Sequence, residues 1–334
     1  MLYPTVGRSG LRISQLVLGT VTFGELVDGA EVDRVVATAL DHGISTFDTG
    51  DAYGKGNSER LLGRALGSNR QRAVICTKVG LRVEDSEAEH ASSFRGGYDH
   101  AERWKRGISP NEAGLSRLHI IDAVEESLRR LGTDWIDLYQ VHRWDNDVPL
   151  EETMRALDDL VRSGKVRYLG CSQYSAGQMR TAAALAGERG LTPFISMQQP
   201  YNMISRAAEA EIMPAAEETG IGLLTFQVLA GGILTGRYKN QDAPEKGSRV
   251  ASRATLQDRY WRPETFAFVE RLEDLARQVD RRPEELALAW NLAQPGVDAT
   301  LVGADKPEDV IRNTAIARRP LTDEELAALR ELVG

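Results

Sequence analysis

The chain predicts an α/β protein of the (β/α)8 TIM-barrel class, and three observations carry that prediction. Eight short apolar or β-branched runs alternate with longer helical patterns along nearly all of its 334 residues. No Gly-x-Gly-x-x-Gly follows the first run, so two dinucleotide-binding halves of a doubly wound sheet are not indicated. Polar and ionisable residues stand at the C-terminal end of one run after another, the level at which barrels place their chemistry.

In chain order, "LYPTVGRSGLRIS" has two short runs around a glycine-rich turn and predicts an N-terminal β-hairpin closing the barrel floor. The expected strands are 16–20 (LVLGT), 44–48 (ISTFD), 73–79 (AVICTKV), 136–142 (IDLYQVH), 166–172 (VRYLGCS), 194–198 (FISMQ), 222–226 (GLLTF) and 299–303 (ATLVG). Between them, segments such as "LHIIDAVEESLRRLG" and "PLEETMRALDDLVRSGK" repeat apolar residues three and four apart, and several end in Gly as helix C-caps do. The final "TDEELAALRELVG" predicts a capped extra helix. Without a Pro/Gly/Ser-rich linker or a repeat beyond the βα alternation, residues 1–334 are expected to form a single barrel domain. Two connections are long, from Gly80 to about Arg117 and from Leu229 to about Arg262. They follow strands 3 and 7, and connections beyond ~15 residues are usually functional or disordered, so both are candidate lids over a substrate.

Composition narrows the function. A net charge of −8 argues against a nucleic-acid groove or an anionic membrane as the main partner. No apolar run approaches the ~20 residues a bilayer span needs, and "MLYPTVGRSG" lacks a signal-peptide core, so a cytoplasmic location is expected. The two cysteines, Cys76 and Cys171, lie in separate strand-like runs and give no disulfide framework. No metal site is expected. Oligomeric state is not legible.

At the strand ends stand Thr20, Asp48, Lys78, His142, Ser172 with Gln173, Gln198, Phe226, and Gly303 with Ala304. Tyr53 follows Asp48 by five residues. Taken singly, Asp48 could be a loop cap, Tyr53 a packing residue and His142 a core histidine. Lys78, enclosed by apolar neighbours, has no such ordinary explanation, because a lysine is almost never buried unless paired. Together the four form a device for polarising and protonating a carbonyl oxygen. A phenol is a reluctant donor at neutral pH, a nearby ammonium lowers its pKa, a carboxylate orients the ammonium, and an imidazole donates to the substrate oxygen. The hydride must come from elsewhere, which implies a nicotinamide cofactor.

These stretches resemble the aldo-keto reductase family over essentially the whole chain. "GRSGLRISQLVLGTVTFG" resembles its opening, and "GISTFDTGDAYGKGNSERLLGRAL" its first signature. "VICTKVG" resembles its lysine strand, and "LRRLGTDWIDLYQVHRWD" its histidine strand. The resemblance implies Asp48, Tyr53, Lys78 and His142 as the catalytic tetrad. Asp51 lies closer to Tyr53, but the family's acid stands five residues before its tyrosine. Thr20 and Asp48 would face the cofactor. Ser172 and Gln198 match the residues that hold its carboxamide, with Gln173 where asparagine is usual. Phe226 matches the ring stacked on the nicotinamide. Gln227 to Leu229 replace the usual Ser-Pro-Leu, and Gly231 follows in "AGGILTGRY". In "LVGADKPEDVIRN", Gly303, Lys306, Asp309, Arg312 and Asn313 would surround the adenosine end, with Asp309 in place of the usual Arg or Gln. An acid there opposes a 2′-phosphate and Lys306 and Arg312 compensate, so the expected cofactor is NADP(H), with NAD(H) as the alternative.

The implied activity is reduction of an aldehyde or ketone, a keto-sugar included, with Trp144, Arg143 and Trp104 lining the substrate pocket beside Tyr98 and Phe94. Two other readings stay open. One is a nicotinamide-binding regulatory or sensor subunit with little turnover, and the other is a Schiff-base aldolase with Lys78 as nucleophile.

Overall fold

The computed structural model describes residues 1–334 except 87–88, 91–92, 94–96, 239–242 and 245–247, and of Arg249 and Ser252 only the backbone. Eight parallel strands close into a barrel in sequence order. They are β1 (Leu16–Gly19), β2 (Thr46–Asp48), β3 (Val74–Val79), β4 (Ile136–Val141), β5 (Val166–Ser172), β6 (Phe194–Pro200), β7 (Gly222–Phe226) and β8 (Val297–Gly303). β8 returns to pair with β1, bringing Gly19 opposite Gly303. Every expected strand is present, and the differences lie at the ends. Thr20 and His142 fall one residue beyond β1 and β4, yet their backbone N–H groups still donate across the ring, to Asp48 O (2.9 Å) and Val79 O (2.8 Å).

Strand alternation divides the apolar residues into two cores. Outward positions pack under the helices, as Leu16, Leu18, Phe47, Ile75 and Val141 do. Inward positions Val17, Cys76, Leu138, Leu224 and Ala299 meet at the lower end of the barrel. Val6 and Ile13 of the N-terminal segment complete this inner cluster, and both are fully buried. That segment pairs antiparallel through Thr5 and Arg12, so the expected hairpin is the plug of the floor. Gly7 makes its turn at φ 50°, and a Cβ there would stand 2.4 Å from Gly220 O. Asp298 Oδ2 accepts from Gly7 N at 2.8 Å and ties the turn to β8.

Helix signals read in the sequence are met locally. Gly132, Gly190 and Gly220 end helices 117–131, 176–189 and 212–219 in the left-handed conformation. Thr322 and Glu325 form a capping box on the last helix, Asp323–Val333. The long connection after β3 carries the short helix His100–Lys105, and the one after β7 carries Arg249–Ser252 and Ala254–Tyr260. No helix among the described residues is long and apolar enough to cross a membrane.

Candidate active site

The stretch after β2 is folded around small residues. Thr49 Oγ1 and Thr20 Oγ1 both meet Ser58 Oγ, at 2.9 and 2.7 Å, which ties the strand ends to helix Asn57–Leu66. Gly50 lies against the Tyr53 ring, where a Cβ would come within 3.3 Å of it. Gly54 and Lys55 follow in left-handed conformations, turning the chain into that helix. The phenol is thereby laid over the barrel mouth.

Asp48, Lys78, Tyr53 and His142 converge there. Lys78 is 1% exposed, and its ammonium donates to Asp48 Oδ1 and to Thr49 O (2.8 Å). It lies 4.9 Å from the centre of the Tyr53 ring. The Tyr53 and His142 rings meet edge to face with centroids 5.8 Å apart. Asp48 is fully engaged, since Oδ2 accepts from Gln198 Nε2 at 2.8 Å and from Gln140 Nε2 at 3.1 Å. Three donors offset the cost of burying this carboxylate.

Burial would lower the Lys78 pKa, but the charges of Asp48 and then Tyr53 hold it above the ordinary lysine value. Burial raises the Tyr53 pKa, and the Lys78 ammonium pulls against this without reversing it. The sequence-based expectation of an acidified phenol is thus corrected, because desolvation outweighs the ammonium. His142 is held well below the usual imidazole range, by burial and then by the charge of Lys78, so it is neutral at pH 7. Asp51 is no rival to Asp48. Fully buried, it accepts from Ala52 N (2.7 Å), and burial followed by the charge of Glu59 raises its pKa well above normal.

Asp48, Tyr53 and His142 open into a cavity of about 1250 Å3, and Lys78 is buried outside its lining. Thr20, Ser172, Gln173, Gln198, Phe226, Gln227 and Gly303 line it, as do Arg143, Trp144 and Tyr98. Gln173 and Gln227 hold positive φ values of 55° and 58°, the kind of strain that collects at functional sites. Other residues named from the sequence stand elsewhere. Leu229, Gly231, Lys306, Asp309, Arg312 and Asn313 are not among the lining residues; Asn313 Nδ2 donates to Gly303 O (3.3 Å) and Arg312 pairs with Asp309. Trp104 is a correction, being 68% exposed and outside the lining. On its short helix Arg103 faces inward instead, bonded to Asp85 and lying over the Tyr98 ring. Phe94 lies outside the described residues.

Sequence reading missed Gln140, which looks like one more polar residue in a strand, and Arg253, Arg259 and Arg262, which line the cavity from the connection after β7. Three arginines within ten residues of a long loop were the available signal. Arg253 also pairs with Glu25 (3.1 Å), joining the connections after β1 and β7.

Fold and site together define a barrel whose open face presents an acid, a phenol and a neutral imidazole to one cavity, with a buried lysine paired to the acid. The sequence model of the Aldo/keto reductase family matches residues 15–333, and the chain belongs to that family. The versiconal hemiacetal acetate reductase of Aspergillus parasiticus is 33% identical, the alignment covering 99% of this chain and 96% of that protein. The uncharacterized oxidoreductase YrpG of Bacillus subtilis is 34% identical, covering 98% and 94%. A protein of Oryza sativa subsp. japonica named probable voltage-gated potassium channel subunit beta is 34% identical, covering 94% and 90%.

Proposed function

We propose that this protein is an NADP(H)-dependent oxidoreductase that reduces an aldehyde or ketone to an alcohol. The observation that carries the reading is that Tyr53, Asp48 and His142 line one cavity while buried Lys78 is bonded to Asp48 and lies 4.9 Å from the Tyr53 ring. The cavity suits a nicotinamide on its own terms. Gly19 and Gly303, paired across β1 and β8, leave a side-chain-free gap beside Phe226, Ser172 and Gln198. Ser172, Gln173 and Gln198 would hold the carboxamide, and Phe226 would lie against the ring. Thr20, Gln227 and the arginines at 253, 259 and 262 would line the way to the phosphates, with Lys306, Arg312 and Asn313 toward the adenosine end. Asp309 is already paired with Arg312, which offsets its repulsion of a 2′-phosphate and supports NADP(H).

When bound, the cofactor supplies the hydride. Tyr53 gives its proton to the carbonyl oxygen, Lys78 stabilises the phenolate left behind, and Asp48 holds Lys78 in place. Neutral His142 donates an N–H to the same oxygen. General acid catalysis of this kind is worth about 10²–10⁴-fold. Arg143 and Trp144 offer a planar cation and an aromatic face to the rest of the substrate, which suits a keto-sugar as well as an aryl carbonyl. The reading is tested by following nicotinamide oxidation with NADPH and a carbonyl panel. Turnover with several members supports it, and none across the panel with NADPH bound contradicts it.

A second reading is favoured by the relatives named as channel β subunits. A nicotinamide-binding regulatory subunit would bind NADPH tightly and turn over the panel barely or not at all. The Schiff-base alternative needs a neutral amine, and Lys78 is a buried, paired ammonium.

A further inference from the structure

The buried amide of Gln140 plays no part in the proton transfer just described, yet the fold goes to some length to seat it. It is fully buried on β4, in register with Lys78 on β3 and with Gly170 on β5. Its Nε2 reaches across the barrel to Asp48 Oδ2 on β2 at 3.1 Å. A Cβ at Gly170 would stand 3.0 Å from Gln140 Cγ and 2.2 Å from Ser196 Oγ. Gly170 has no positive φ, so glycine serves there to leave space. The room that lets Gln140 lean toward Asp48 is this missing side chain.

Asp48 Oδ2 has a second donor, Gln198 Nε2 at 2.8 Å, and Gln198 also touches Gln140 Oε1 at 3.5 Å. Under the reading above, Gln198 must also serve the cofactor amide, and its two N–H groups already go to Asp48 Oδ2 and Gln140 Oε1, so a donation to the cofactor releases one of them. If Gln198 turns away, a buried carboxylate oxygen would be left without a partner, which is costly unless another donor stays.

We infer that Gln140 is a positioning residue, seated by Gly170, which holds Asp48 while Gln198 engages the cofactor. It keeps the carboxylate aimed at Lys78, and so acts on Tyr53 through two intermediates. This inference rests on the reductase reading. Its effect belongs in kcat, because Gln140 does not line the cavity.

The test compares Gln140→Met, of similar size but without a donor, with Gln140→Glu and the parent. Circular dichroism checks folding, fluorescence titration gives the NADPH Kd, and steady-state reduction of the best carbonyl substrate gives kcat and KM. For Gln140→Met the expected result is a kcat lowered on the order of 10- to 100-fold, with Kd and KM within about twofold of the parent. Gln140→Glu keeps the shape and can donate only while protonated. The titratable groups against it are Asp48, bonded to its amide, and Lys78, opposite it on β3, and Asp48 favours the protonated form. Its kcat relative to the parent is therefore highest at acidic pH and falls as pH rises. Should Gln140→Met fail to fold, that trend decides alone. Parent-like kcat in Gln140→Met, or a flat ratio in Gln140→Glu, overturns the role of Gln140 and leaves the reductase reading intact. A parent inert across the whole panel overturns both.

Discussion

Tyr53 stands between two opposed influences, and the balance sets a pH dependence. Burial pushes its pKa above the ordinary value of about 10, and Lys78 only partly offsets this. The proposed reduction needs the protonated phenol, and His142 is already neutral at pH 7. We therefore expect kcat for reduction to stay level between about pH 7 and 9 and to fall only above about 10. A pH–rate profile with a fall centred near 7.5 contradicts this balance. The four residues could be read together because Lys78 inside an apolar strand has no ordinary explanation and the others stand at or just after neighbouring strand ends. Gln140 gives no such signal. A neutral amide carries no charge to explain, and the space it uses is supplied by a glycine thirty residues further on. Trp104 misled because an aromatic in a long connection says nothing of which helix face turns inward, and at that helix Arg103 takes the inner side to reach Asp85.

At the scale of elements, the site is positioned by helix Asn57–Leu66, which continues directly from the Tyr53 turn. Its Gly63 rests on the end of helix 117–131, where a Cβ would stand 2.1 Å from Leu131 O, a backbone atom that cannot swing aside. Gly63→Ala is expected to cost about 1–3 kcal/mol by overpacking, read as a lower denaturation midpoint in urea. An unchanged midpoint would show that the two helices separate freely. The helices themselves could be read from periodicity and glycine stops, whereas strand ends were displaced by a residue or two. At Thr20 and His142 the reason is physical. The ladder bonds run on by one step after the strand geometry has ended. The cavity contacts of Arg253, Arg259 and Arg262 were hidden because a long connection has no periodicity to give its direction.

The molecule as a whole separates stability from chemistry by height in the barrel. Hydrophobic residues fill the floor, where Ile13 of the N-terminal plug meets Val17, Leu138 and Leu224, and ionisable groups fill the mouth. Ile13→Ala is expected to lower unfolding stability by about 2–5 kcal/mol and to leave kcat of the folded enzyme unchanged. A parallel loss of kcat would show that floor and mouth are coupled. The barrel was legible from eight alternations and the plug from its glycine turn, since both follow from local pattern. The closing of β8 onto β1, which pairs Gly19 with Gly303 and clears one side of the cavity, depends on the whole ring and not on any segment of it.

The central claim is that Tyr53 delivers the proton in an NADPH-dependent carbonyl reduction. Single-turnover loss of nicotinamide absorbance, measured for the parent and for Tyr53→Phe at saturating NADPH, tests it most directly. The account predicts a parent reaction slowed about 10²–10⁴-fold or more in the variant, with NADPH affinity nearly unchanged. Equal rates in the two proteins would contradict it.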